Sequence, residues 1–134
     1  MRVQLYDYLT NYAGLTALVS TRIYPQRVPT GKALPTLSYT FEGRTPEYDQ
    51  DGSDGAQTVT VEFNCNAATL SEAVDISNQL YSALDIQLTE IGPLGNKVYL
   101  SSARLLTEYD NADLFDGSED GARIVTMTYE LRYK

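Results

Sequence analysis

The sequence predicts a single-domain α+β fold, in the order αββαββ, with helices on one face of a mostly antiparallel sheet and two long acidic hairpin loops. Apolar residues recur at helical spacing in two regions and alternate with polar ones in four others. The run DGSDGA at 51–56 returns as DGSEDGA at 116–122, each time before a strand of similar pattern, with Val59, Val61 and Phe63 falling opposite Val125, Met127 and Tyr129. Gly and Asp also recur in turns for their own physical reasons, so duplication is one of two readings of that match. A chain of 134 residues favours one domain, taken here as 1–134.

From Val3 to Ala13, Leu5, Tyr8, Leu9 and Tyr12 share a helical face, and Leu15, Ala17, Leu18 and Val19 resume it after a break or kink expected at Gly14. The stretch RIYPQRVPTGKALP, Arg22 to Pro35, holds three prolines and a glycine, so it reads as an extended surface connector excluded from any central strand. Two strands follow, one on Leu37, Tyr39 and Phe41 and one on Val59, Val61, Phe63 and Cys65. The polar stretch GRTPEYDQDGSDGA between them reads as a long loop. Thr69 with Glu72 forms a capping box for a helix whose face carries Leu70, Ala73, Val74, Ser77, Leu80, Tyr81 and Leu84. After a connection ending at Gly92, Pro93 and Gly95, Lys97 to Tyr109 and Ala122 to Tyr133 read as the last strands, with Val125, Met127, Tyr129, Leu131 and Tyr133 on one face.

Composition narrows the function. Eighteen acidic against ten basic side chains give a net charge of -8, which opposes binding to nucleic-acid phosphates. No charged-then-apolar leader follows Met1 and no apolar run is long enough to cross a bilayer, so a soluble chain made in the cytoplasm, with no membrane partner, is expected. The chain has no His, which removes the commonest general base and metal ligand. The lysines, Lys32, Lys97 and Lys134, stand at no spacing from a serine that marks a nucleophile. Cys65 lies on the apolar face of its strand and reads as a buried hydrophobe. Asp116, Ser118, Asp120 and Gly121 match the first half of a calcium loop, but Met127 stands where a bidentate Glu is needed. Gly92, Gly95, Gly117 and Gly121 follow no phosphate-cradle spacing. No enzyme, cofactor or metal is expected.

The run ALVSTRIYPQRVPTGKALPTLSY, Ala17 to Tyr39, resembles the most recognisable stretch of the tail-completion, or tail-terminator, family of tailed bacteriophages. Leu18 and Val19 match its leucine-valine pair, Arg22, Ile23, Tyr24 and Pro25 its arginine-isoleucine-tyrosine-proline step, and Leu34 and Pro35 the entry to its strand. The resemblance implies a virion structural protein of the tail-neck region, made in the host cytoplasm, that caps the head-proximal end of the tail tube. It implies a ring, taken as six subunits, with the tail-tube protein and a neck or connector protein as partners. The candidate interface comprises Arg22, Tyr24, Arg27 and Lys32 of the basic connector and Asp49, Asp51, Asp54, Asp116, Glu119 and Asp120 of the acidic tips. The alternatives are another minor neck protein or a monomeric acidic-loop binding module.

Overall fold

The computed structural model describes residues 1–26, 28–29, 33–49, 52–112 and 123–134, with 49, 52–54, 87, 111 and 112 described by their backbone. Two helices open the chain, α1 (Arg2–Thr10) and α2 (Ala13–Val19). The interruption expected at Gly14 falls at residues 11–12, where the Asn11 side chain donates from Nδ2 to Asp7 O at 2.8 Å and closes the first helix. Gly14 lies inside α2. A Cβ there would meet the amide end of Gln79 on a later helix, α3 (Leu70–Leu84), a flexible side-chain tip that can swing aside.

The connector forms a short strand, β1 (Ile23–Pro25), parallel to β2 (Thr36–Asp49). Pro25 is tolerated because β1 is an edge strand. The long loop expected after Phe41 is replaced by paired strands: β2 runs on to Asp49, β3 (Gly52–Ala67) returns, and Asp49 pairs with Gly52. Thr45, Tyr48 and Thr58 are good strand formers, and cross-strand pairing overrides the poor propensity of the Gly and Asp between them.

Thr69 caps α3 as expected, its Oγ1 accepting from Glu72 N–H at 3.3 Å. The buried face differs in detail: Ala73, Ile76, Ser77, Leu80, Ala83 and Leu84 are buried, while Leu70, Val74 and Tyr81 are exposed. The sequence reading passed over β4 (Gln87–Ile91), which pairs antiparallel with β5 (Val98–Ala112). The last strand is β6 (Arg123–Tyr133). The order is thus ααβββαβββ, with a short edge strand in each half that the αββαββ expectation lacks. Residues 113–122, the second acidic loop, lie outside the described residues.

The six strands make one sheet in the order β1-β2-β3-β6-β5-β4, antiparallel at every pair except β1 and β2. The two strands proposed as repeats are direct neighbours, so their partners run in reverse: Val61 meets Tyr129 and Phe63 meets Met127. Val59, Val61, Phe63 and Cys65 with Val125, Met127, Tyr129 and Leu131 bury one face against α3. Leu5, Leu9, Leu15 and Val19 complete that core from α1 and α2. Cys65 is fully buried, and burial pushes its thiol pKa up.

Tyrosines titrate within this core. Burial raises the hydroxyl of Tyr8 and of Tyr129 above the usual tyrosine range and lifts Tyr39 to about 12. A group raised in the folded state gives up its proton first in the unfolded chain, so the stability it contributes is intact below about pH 10 and is lost as pH rises through the folded value. Urea midpoints followed by circular dichroism are therefore expected to fall steeply between about pH 10 and about pH 12. A flat profile across that window would show these hydroxyls ionising without opening the core.

Candidate assembly surface

The strand registers place Asp49 at one end of the sheet and the strand ends Ala112 and Arg123 at the other. Asp49 and Gly52, flanking the tip of the β2–β3 hairpin, extend past the end where Gln57 meets Tyr133. At the opposite end Ala67 meets Arg123, and Arg123 meets Ala112. Ala112 and Arg123, the described residues on either side of 113–122 in sequence, thus lie about 50 Å of extended strand from the β2–β3 tip. Asp49 and the strand ends Ala112 and Arg123 therefore lie at opposite ends of the sheet, which sequence alone did not separate. Asp51, Asp116, Glu119 and Asp120 themselves lie outside the described residues, as do Arg27 and Lys32.

Arg22 and Tyr24 sit on the β1 edge. The Arg22 carbonyl accepts from Leu37 N–H at 3.0 Å, and its Nε donates to Pro35 O at 2.8 Å, so the side chain ties the two ends of the connector together. Tyr24 pairs in register with Ser38 and is half-buried. Near the β2–β3 tip, Arg132 donates from Nε and Nη2 to the two carboxylate oxygens of Glu47, at 2.6 Å each. That fork holds the Glu47 carboxyl below its ordinary range.

Among the described residues two long strand edges lack a neighbour. β1 covers the outer edge of β2 only from Leu37 to Tyr39, and among the described residues no strand pairs with that edge from Thr40 to Asp49. β4 covers β5 only from Val98 to Ser102, leaving Ala103 to Ala112 without an outer partner among the described residues. Such edges present unpaired backbone donors and acceptors. β2 is guarded by Pro46 and by register breaks at Glu42 and Glu47; β5 holds one break there, at Leu106, and exposes Leu106 and Tyr109.

Beside the open edge of β2 lies a cleft of about 460 Å³ lined by Arg2, Gln4, Phe41, Arg44, Val59 and Tyr133, among others. The Arg2 guanidinium stands 4.7 Å from the centre of the Phe41 ring. Among the described residues neither Arg2 nor Arg44 forms an ion pair. The sequence reading missed Arg44 because it fell inside the supposed loop, and the chain's few basic residues offered no pattern that would join position 2 to position 44.

Comparisons with known proteins place this arrangement. A chain from the virion of a native gene transfer agent particle shares the fold, with a TM-score of 0.71 and 20% identity over 99% of this chain and 93% of that one. No curated protein matches the sequence. The family model described as tail completion protein gp17 matches residues 3–126, from the second residue of α1 to the first four residues of β6. The chain belongs to the tail completion protein gp17 family.

Proposed function

We propose that this protein is a structural component of a phage virion, at the junction of tail and neck, where a ring of six copies closes the head-proximal end of the tail tube. The family match over residues 3–126 carries this reading, because it spans five of the six strands whole and the start of β6, not one motif. The whole chain, 1–134, acts as one tail-completion unit and stops tube growth by occupying the terminal ring of subunits. Its other surface meets a neck or connector protein. Catalysis has no part in this role.

The fold supports a ring in a specific way. A sheet with one open edge at β2 and another at β5 offers two different surfaces on opposite sides of the subunit, and contacts between unlike surfaces close into rings. The connector with Arg22, Tyr24, Arg27 and Lys32 offers positive charge, whereas Asp49, Asp51, Asp54, Asp116, Glu119 and Asp120 offer negative charge. Acidic segments that face the lumen repel passing DNA, and those that face a basic partner orient it.

The test is the mass of the purified full chain by light scattering, across concentration and salt, with and without tail tubes from the virus that encodes it. A ring of six, alone or on the tube end, is the expected result, with assembly weakening as salt rises. A monomer indifferent to tubes would refute the reading and turn attention to calcium binding by the acidic segments. Binding to a neck protein but not to tubes would instead place the chain elsewhere in the connector.

A further inference from the structure

We infer that the open edge of β5 in one copy adds to the open edge of β2 in a second copy of this chain, antiparallel, seating Glu108 against the Arg2 and Arg44 cleft. The inference rests on the ring reading and names the surfaces that build the ring.

Strand direction is the first argument. β2 runs against β3, β3 against β6 and β6 against β5, so β2 and β5 of one subunit are antiparallel to each other. A copy placed alongside with the same face outward therefore continues the sheet with a standard antiparallel pair. The stretches left open by β1 and β4 are Thr40 to Asp49 and Ala103 to Ala112, which are equal in length. They lie towards opposite ends of the sheet, so matching them slides each copy along the strand direction relative to its neighbour. Such a stagger is what a sheet closing around an axis requires.

Side chains supply the second argument. With the open stretches aligned end to end, Arg44 comes opposite Glu108 and Pro46 opposite Leu106, the position where β5 itself breaks register. Arg44 pairs in its own sheet with Val59, and Glu108 with Met127, and both partners are buried. Arg44 and Glu108 therefore project from the same, helix-covered face, as a cross-strand pair must. Glu108 is exposed and forms no ion pair among the described residues. Glu42, the acidic group at the cleft, is engaged with Glu62, whose hydrogen bond raises its pKa. Pairing would also cover Tyr48, Leu106 and Tyr109, which are now 71%, 41% and 50% exposed.

The experiment uses full-length Arg44→Glu and Glu108→Arg variants, their equimolar mixture and the double variant, read by sedimentation with and without tail tubes. Each single variant is expected to lose self-association on the order of 100-fold while keeping the wild-type circular dichroism spectrum and Tm. The mixture and the double variant are expected to recover it, because every junction then joins opposite charges. Single variants that assemble like wild type, or folded single variants whose mixture stays apart, overturn the edge pairing and leave the tail-closing role standing if wild type still forms rings. Wild type that forms no ring on tubes removes both. A wild-type particle that stops at two copies overturns the inference in favour of a like-with-like contact.

Discussion

Phe63→Ala is expected to remove about 4 kcal/mol of folding stability, a large share of the roughly 5–15 kcal/mol that holds a domain of this kind together. Phe63 is fully buried in β3, with its ring centre 5.7 Å from that of Tyr39 and 5.8 Å from that of Tyr129. The Tyr129 contact is edge-on, at 88°, the geometry that sets a ring's positive rim against its neighbour's negative face. The three rings bridge β2, β3 and β6, so truncation leaves a void in the middle of the sheet that neighbouring strands cannot collapse to fill. A loss of roughly 10–20 °C in Tm, with a matching fall in urea midpoint at unchanged slope, is the expected measurement. Tyr129→Phe makes the informative contrast. Among the described residues its hydroxyl is buried without a hydrogen-bond partner, so deleting it is expected to leave stability unchanged or raise it by up to about 1 kcal/mol. A large loss on Tyr129→Phe would mean that the hydroxyl is satisfied in solution.

The second large effect is expected at Gly92→Ala, at roughly 2–4 kcal/mol. Gly92 follows β4 with a φ of +121°, a conformation that side chains rarely adopt. A Cβ there would stand 2.6 Å from the backbone oxygen of Asn96 and 2.6 Å from Gln4 Cγ. Neither can retreat cheaply, because Gln4 Nε2 donates to Asn96 Oδ1 at 2.9 Å and to Asn96 O at 3.2 Å, fastening α1 to the β4–β5 turn. The substitution therefore combines backbone strain with loss of that fastening. Denaturant unfolding checks the size of the loss. A cost below about 1 kcal/mol would show that the turn relaxes independently of α1.

What the sequence revealed depended on whether the signal was local. The capping box fixed α3 because Thr69 and Glu72 act within one turn, and the alternation in 59–65 and 125–133 fixed β3 and β6 because each strand buries one face. The buried face of α3 came out slightly rotated, since Ile76 and Ala83 are chosen by the sheet they meet and not by the helix that bears them. β1 and β4 went unread as strands because three and five residues carry too little periodicity, and pairing with an existing edge makes them. The hairpin from Gly43 to Ala56 was mistaken for a loop for the converse reason: its Gly, Pro and Asp content is that of a turn, while its conformation is set by cross-strand partners. Of the candidate surface, sequence pointed to the connector and the acidic segments, but the cleft of Arg2 and Arg44 arises only when α1 is laid beside β2.

The place of β6 in the sheet has a kinetic consequence. The strand latest in sequence lies between β3 and β5, and its pairing joins residues such as Asn64 and Thr126 that are 62 positions apart. Local hairpins can form early, but the core shared by the two halves closes only when a distant segment arrives, and loop closure over that length delays the rewarding contacts. Folding on the millisecond-to-second scale is the natural result, slower than a helical chain of equal size. Until β6 docks, β3 and β5 each present an apolar strand with an empty inner edge, so crowded chains have a window in which to pair with one another wrongly.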